Sequence, residues 1–119
     1  MSQRKQKKVA EALREAVSSV VLFEMNDPRL GFVTITQVEV SRDLRSAKVK
    51  FSTMGQAPDR SKAVHCLQHA SGHIREQIGK RLRMRHVPTL RFELDESIQR
   101  GMEVRQLIEE ARRQDTAEQ

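Results

Sequence analysis

Apolar residues recur at intervals of three and four positions in two long stretches of the chain, and this spacing predicts amphipathic helices. The first stretch runs from Arg4 to Met25. The second is interrupted at Gly72, where a glycine inside a helix costs about 1 kcal/mol relative to alanine. We therefore predict one helix from about Asp59 to a break at Gly72 and another from there to about Leu82.

Three other segments are rich in apolar and β-branched residues that tend to alternate with polar ones, which is typical of strands. In Phe32–Val40 the alternation slips between Ile35 and Val38, which predicts a bulge or burial on both faces. Ala47–Thr53 alternates more cleanly. The link between these two strands is too short for a crossover, so we predict an antiparallel hairpin. Thr89–Asp95 is predicted as a third strand.

The order of these elements predicts an α+β fold. Three strands with helices on one face form a two-layer sandwich, because the apolar sides of the helices and of the sheet close on each other. The opposite sheet face then presents Lys48, Lys50, Arg91 and Glu93 to water. We assign residues 1–102 to this domain and residues 103–119 to a C-terminal tail that is partly helical or mobile, with a short helix predicted from about Ile98 to Ala111.

The composition points to an anionic partner. The 119 residues carry a formal net charge of +6 at pH 7, with an isoelectric point near 10.1. Residues 95–119 hold seven acidic and four basic residues, so the folded part is more basic than the total. A single cysteine, no visible signal peptide and no apolar run of about 18 residues predict a soluble, cytoplasmic protein.

Basic residues cluster at two places in the sequence. Four open the first helix, where positive charge opposes the helix dipole, so they form either a solvated helix start or a contact to phosphate. The second cluster begins at Lys80, and no acidic residue follows it until Glu93. A kinked pair of helices leading into unpaired positive charge is a candidate surface for a polyanion.

The chain offers few aromatic rings, since it lacks tryptophan and tyrosine and has four phenylalanines. Phe23, Phe32, Phe51 and Phe92 all fall among apolar residues of periodic segments, and we predict that each packs in the core. Proteins that read unpaired bases commonly stack them on exposed aromatic rings. The sequence therefore argues against this mode of recognition.

Residues for other chemistry are present, but their spacing is unfavourable. His65, His69 and His73 share a helix side as zinc ligands only if the helix is unbroken, so we predict a polar surface, with RNA contact by one histidine as an alternative. Cys66 points about 100° away from its neighbour His65, which predicts a buried thiol and not a nucleophile. No catalytic triad or nucleotide cradle occurs. We predict a non-enzymatic protein without cofactor or metal.

Several short motifs occur in an order that is typical of one family. They are Asp27-Pro28-Arg29-Leu30-Gly31, Val40-Ser41-Arg42-Asp43-Leu44, Ala47-Lys48-Val49, Ala70-Ser71-Gly72 and Val87-Pro88. From about Lys8 to Met102 the chain thereby resembles ribosome-binding factor A, a bacterial assembly factor for the small ribosomal subunit with a type II K-homology fold. That family replaces the Gly-x-x-Gly loop of other K-homology domains with a kinked helix, and no Gly-x-x-Gly occurs here.

The resemblance also implies a function. It implies a monomeric, cytoplasmic factor that binds 16S ribosomal RNA in the immature 30S subunit, assists late maturation of that RNA and is important for growth in the cold. We carry no function over to residues 103–119. The residues that we expect to contact RNA are Lys7, Lys8, Arg42, Arg45, Lys80, Arg81, Arg83 and Arg85, with Ala70, Ser71 and Gly72 at the point of close backbone approach.

Two other functions remain open at this point. Two short helices joined at a glycine also describe a helix-turn-helix, whose second helix would read DNA bases through His73, Arg75, Glu76 and Lys80. That motif does not require the hairpin or the third strand. Alternatively, the basic face binds an acidic protein, in which case affinity survives the removal of RNA.

Overall fold

The computed structural model describes residues 3–25, 33–53 and 57–118 of the chain. They form four helices and three strands. In chain order these are α1 (Gln3–Phe23), β1 (Val33–Val40), β2 (Ser46–Thr53), α2 (Ala57–His69), α3 (Ser71–Leu82), β3 (Thr89–Leu94) and α4 (Ser97–Glu118). No helix among these residues is both long enough and apolar enough to span a membrane.

The sheet is mixed, with the strands in the order β1-β2-β3. β1 and β2 pair antiparallel, which confirms the predicted hairpin, and β2 and β3 pair parallel. The connection from β2 to β3 runs through α2 and α3, because parallel neighbours need a crossover of a dozen or more residues. Gln68 in α2 covers the free edge of β3, since its side-chain amide donates to Leu90 O and accepts from Phe92 N–H, both at 3.1 Å.

One face of the sheet packs against α1, α2 and α3, which confirms the two-layer α+β prediction. The side chains of β2 alternate as predicted, with Ala47, Val49 and Phe51 buried and Lys48 exposed on the other face. Burial of a large apolar side chain such as Phe51 contributes roughly 1.5 to 3 kcal/mol to folding. The helices complete the core with Leu13, Val17, Val20, Ala63, Leu67, Ile74 and Ile78.

A β-bulge lies in β1 between Ile35 and Gln37, where the alternation of the sequence slips. The extra residue, Thr36, turns its hydroxyl towards Asp95 Oδ2 at 2.6 Å and Lys50 O at 3.2 Å. Asp95 Oδ1 also accepts the N–H of Ser97 at 3.0 Å. Hydrogen bonds from Ser97 and Thr36 lower the pKa of Asp95 from 3.8 to about 2.

The break between α2 and α3 falls at Ala70, two residues before the predicted position at Gly72. Ala70 has φ −86° and ψ 1°, its N–H donates to Cys66 O at 3.1 Å, and its carbonyl accepts from Ile74 N–H at 3.0 Å. The backbone therefore stays hydrogen-bonded through the kink. Apart from its chain neighbours and the backbone of its own helix, no heavy atom lies within 4 Å of the position that a Cβ on Gly72 would occupy, so packing does not require this glycine.

Two sequence predictions about apolar residues and helix length are wrong. Phe23 is 78% exposed, whereas Phe51 and Phe92 are buried as predicted and Phe32 lies outside the described residues. The helix after β3 is longer than predicted, since α4 runs from Ser97 to Glu118. Element ends differ from prediction by small amounts elsewhere, as in β3, which ends at Leu94 and leaves Asp95 to accept the Thr36 hydroxyl.

Candidate nucleic-acid interface

Three segments enclose a groove of about 760 Å³ at the end of the sheet where β2 and β3 begin. They are the β1–β2 turn, the first half of α3 and the loop between α3 and β3. We call this the basic groove, because Arg45, Arg75 and Arg85 line it together with a single carboxylate, Asp43. The other lining residues are Leu44, Met84, His86, Val87 and Thr89.

The β1–β2 turn uses the Asp43 carboxylate of the basic groove to hold its own backbone. Asp43 Oδ1 accepts the Ser41 hydroxyl at 2.7 Å and the Arg45 N–H at 3.1 Å. These hydrogen bonds, that of Ser41 first, lower the pKa of Asp43 below its ordinary value. The Arg45 carbonyl accepts the Thr89 N–H at 2.9 Å, which fixes the turn against β3. The turn therefore presents the Arg45 side chain from a well-defined backbone.

Arg75 holds the loop after α3 against the helix. Its Nε donates to Pro88 O at 3.1 Å and its Nη2 donates to Val87 O at 2.9 Å. Both acceptors are neutral carbonyls, so these contacts leave the positive charge of the guanidinium in place. The loop packs over Gly79, where an added Cβ would lie in van der Waals contact with Val87 Cγ2 at 3.4 Å.

Two non-glycine residues in the segments around the basic groove have left-handed backbone conformations. Leu44 has φ 59° and Arg83 has φ 53°, and no other non-glycine residue in the described ranges has positive φ. Arg83 ends α3, where its N–H donates to Gly79 O. Such conformations cost about 1 to 2 kcal/mol each, and glycine is the usual residue at a helix end of this kind. Strain of this sort is typical of binding segments.

Five more predicted residues belong to segments next to the basic groove, although none of them lines it. Arg42 and Arg83 are exposed on the turn and at the end of α3, and within the described part of the chain neither forms an ion pair. Ser71 precedes Arg75 by four residues on α3, so the two side chains share a helix face. The predicted Ala70-Ser71-Gly72 segment is thereby within about one helical turn of the groove wall.

Lys80 and Arg81 lie in the last turn of α3 and bind acidic side chains. Lys80 Nζ is 3.6 Å from Glu76 Oε1, and such an exposed pair contributes little to stability. Arg81 donates to Ser19 Oγ at 2.8 Å and to Glu24 Oε1 at 2.5 Å, so it links α3 to the end of α1. Neither Lys80 nor Arg81 lines the basic groove.

The predicted lysines of α1 lie elsewhere. Lys7 lines a second groove of about 420 Å³ between α1 and the edge strand β1, where Gln6 Nε2 donates to Val40 O at 2.8 Å. Lys8 is exposed and lines neither groove. The structure therefore brings together Arg45 and Arg85, with Arg42 and Arg83 on adjoining segments, and separates them from the α1 and late α3 cations.

The outer face of the sheet is a weaker candidate for a polyanion site, because its cations have acidic neighbours. Lys50 Nζ is 3.3 Å from Glu39 Oε1, and Lys48 Nζ and Arg91 Nε lie 4.0 and 3.7 Å from the carboxylate of Glu93. These pairs reduce the positive potential of the face. The basic groove is therefore the best candidate interface.

The geometry does not favour the rival sites. A helix-turn-helix places a turn of three to four residues between its helices, whereas one residue, Ala70, separates α2 from α3. The exposed rings of His65 and His69 stack with centroids 6.3 Å apart, and no group of three potential metal ligands occurs among the described residues. Cys66 is buried, as predicted.

Sequence reasoning does not place Arg75 or His86 at an RNA interface. The sequence pattern suggests Arg75 only as a DNA contact. The position of Arg75 in the groove depends on how the loop after α3 packs back over Gly79, and hydrophobic periodicity does not predict that packing. His86 lies in the stretch after Lys80 that contains no acidic residue before Glu93. This charge pattern is the sequence feature that could have identified His86 as a candidate RNA contact.

Comparison with known proteins finds relatives over most of the chain. The family model described as ribosome-binding factor A matches residues 5–108. Ribosome-binding factor A of Desulforamulus reducens is 41% identical over 91% of this chain and 90% of its own length. The crystal structure of ribosome-binding factor A from Thermus thermophilus has the same fold, with a TM-score of 0.67 and 24% identity over 75% of this chain and 94% of that chain. A homology model of the Thermus thermophilus factor, fitted into a cryo-EM map of a 30S complex, gives a TM-score of 0.59. It is 23% identical over 81% of this chain and 97% of that chain.

Proposed function

This chain belongs to the ribosome-binding factor A family, and we propose that it binds the immature 30S subunit through 16S ribosomal RNA and assists the late maturation of that RNA. The observation that carries the proposal is the basic groove, where three arginines face one carboxylate that is already hydrogen-bonded. The fitting of a Thermus thermophilus relative into a 30S complex supports the choice of partner.

The proposed mechanism involves no covalent chemistry. A ligand shifts a conformational equilibrium only by its differential affinity for the two states, so the groove must favour one arrangement of the RNA phosphates over another. Arg75 is held by two carbonyls and Arg45 projects from a hydrogen-bonded turn. The Arg75 guanidinium and the backbone that carries Arg45 are therefore ordered before RNA arrives, which reduces the entropy lost on binding and makes the affinity depend on RNA shape.

Co-sedimentation with ribosomal particles tests the proposal. We expect the protein to sediment with immature small subunits at physiological ionic strength and not with large subunits. Crosslinking on the same particles should recover peptides that contain Arg45 and Arg85 joined to 16S ribosomal RNA. Failure to sediment with immature small subunits contradicts the proposal.

The same preparation separates the two alternatives. If duplex DNA of random sequence displaces labelled small-subunit RNA, the protein is a DNA-binding regulator. If nuclease treatment leaves the association intact, the partner is an acidic protein. We also propose that the protein is monomeric and that its loss slows growth most in the cold, which sedimentation equilibrium and growth of a deletion strain would measure.

A further inference from the structure

The sheet has two outer edges, and their backbone groups are satisfied to different extents. Along β3, the Gln68 side chain binds both a carbonyl and an N–H of the strand. Along Val38–Val40 of β1, the described part of the chain supplies a single hydrogen bond to the outer side, from Gln6 Nε2 to Val40 O at 2.8 Å. We call this segment the β1 edge. Unpaired backbone groups at a sheet edge are a template for an added strand.

The hydrogen bonds of β1 show which of its backbone groups point outwards. Ser41 N–H donates to Ser46 O at the start of β2, whereas Val40 O points the other way, towards Gln6. The N–H and C=O of one residue lie on the same side of a strand, and this side alternates from residue to residue. The register has no irregularity after Gln37, so Val38 also points outwards. Within the described residues, Val38 N–H, Val38 C=O and Val40 N–H therefore have no partner.

A groove of about 420 Å³ runs along the β1 edge, and α1 forms its other wall. The α1 residues that line it follow a helical spacing and are Gln3, Gln6, Lys7 and Ala10. Arg4 and Lys8 are exposed on the same turns of α1, and no acidic residue occurs in the chain before Glu11. Glu39 is the acidic residue that lines the groove, and it already binds Lys50 at 3.3 Å. The charge that remains available beside the groove is therefore positive.

An extended peptide fits the β1 edge better than RNA or a second copy of the chain does. Phosphate oxygens only accept hydrogen bonds, so they would leave Val38 C=O without a donor, whereas an added strand supplies donors and acceptors in alternation. Because α1 lines the groove beside the edge, a two-fold pairing of two β1 edges would bring the cationic first turns of both α1 helices together.

We propose that the β1 edge and α1 bind an extended acidic segment of a partner protein, which joins the sheet as a fourth strand. Hydrogen bonds to Val38 and Val40 provide affinity, and acidic side chains at every second position of the added strand lie next to Lys7. This inference goes beyond the proposed function and does not depend on it, since the groove shares no lining residue with the basic groove. It gives Lys7 a protein partner in place of the predicted RNA contact.

Amide hydrogen exchange followed by NMR tests the strand pairing directly. The probe is a synthetic decapeptide of alternating glutamate and valine. One control peptide has lysine in place of glutamate, and the other is the acidic peptide with every backbone nitrogen methylated. In the free protein we expect the outward amides of Val38 and Val40 to exchange faster than that of Glu39, which points to β2. At about ten times its Kd, the acidic peptide should slow both outward amides about tenfold, and the control peptides should not.

Binding of the same peptide to variants completes the test. Lys7→Glu should bind about fivefold more weakly. Val40→Pro should also bind more weakly, because it removes an outward N–H and no hydrogen bond to β2. Lys62→Glu makes the same change of charge on the exposed side of α2 and should bind as the wild type does.

Three results would overturn the inference: unchanged exchange of the Val38 and Val40 amides with the acidic peptide, equal binding of a control peptide, or equal affinity of Lys7→Glu and Lys62→Glu. Slowing of the same amides by 16S ribosomal RNA, or by a higher protein concentration without peptide, would overturn it too. The occupant would then be RNA or a second copy. The peptide measurements contain no RNA, so failure of the proposed function would leave their outcome unchanged.

Discussion

At the scale of single residues, Asp95 joins three elements of the fold. Its carboxylate accepts hydrogen bonds from Thr36 in the bulge of β1 and from Ser97 at the start of α4, and it directly follows β3. The pKa of Asp95 is about 2 in the folded protein, against an ordinary value of 3.8. The stabilisation that the ionised Asp95 carboxylate gives to the fold is therefore complete above its ordinary pKa of 3.8. It is lost as the pH falls through the folded pKa of about 2.

Asp95→Asn tests this link. We expect the free energy of unfolding near neutral pH to fall by about 1 kcal/mol, because charged hydrogen bonds are replaced by weaker ones. The difference from the wild type should shrink as the pH falls from 3.8 to about 2. Urea unfolding followed by circular dichroism at several pH values measures it, with Glu103→Gln on exposed α4 as the control. A difference that does not change with pH would contradict this role.

Phe23 shows what a hydrophobic pattern fails to predict about a single residue. It follows Val20 by three positions and so continues the apolar stripe of α1, yet Val20 is fully buried and Phe23 is exposed. Periodicity gives the side of a helix on which a residue lies. It does not give the point at which the helix extends past the layer that covers it, because that depends on the positions of other elements.

At the scale of elements, the kink between α2 and α3 begins the helix that supplies Arg75 to the basic groove. The sequence predicts a break at Gly72, and the break occurs at Ala70, because a helical glycine lowers helix propensity without fixing where the backbone departs from the helix. The bulge in β1 is predictable for a different reason. A break in the alternation of apolar and polar residues along a strand indicates a bulge or burial on both faces. Here it is a bulge, with Thr36 as the extra residue.

Gly72→Ala should raise the free energy of unfolding by about 0.5 to 1 kcal/mol, since alanine favours the helix and its Cβ meets no neighbour. Gly72→Leu should fold but bind RNA poorly if the RNA backbone approaches the kink. Thermal unfolding measures the first effect and RNA binding the second. Gly101→Leu on exposed α4 is the control for RNA binding, because a Cβ there also meets nothing within 4 Å and binding should be unchanged. Destabilisation by Gly72→Ala would mean that the glycine serves packing.

At the scale of the whole molecule, the predicted K-homology-like α+β sandwich is confirmed, including the antiparallel hairpin and the helices on one face. The parallel pairing of β3 follows from the long helical crossover, and the strand sequence alone does not predict it. The groups around each predicted RNA-contacting residue are harder to predict. The sequence shows which residues are cationic but not which acidic side chains lie beside them. Lys80 pairs with Glu76 and Arg81 pairs with Glu24.

The assignment of residues 1–102 to an independent domain is a prediction at this scale. Residues 100–114 of α4 are exposed, and the radius of gyration is 18.1 Å, against about 13 Å for a compact domain of roughly 100 residues. A chain that ends at Met102 should lose less than about 1 kcal/mol of stability and approach the compact radius in small-angle scattering. Unfolding of the shortened chain would place α4 in the folding unit.

The central claim is that the cations of the basic groove bind RNA phosphates, and the salt dependence of binding to immature small subunits tests it most directly. Arg45→Ala combined with Arg85→Ala should reduce the slope of log K against log salt by about 1.4 to 1.8, because each lost phosphate contact contributes roughly 0.7 to 0.9. Lys48→Ala combined with Arg91→Ala removes the same charge from the outer sheet face and should leave the slope close to that of the wild type. Equal slopes for the two double variants would contradict the claim.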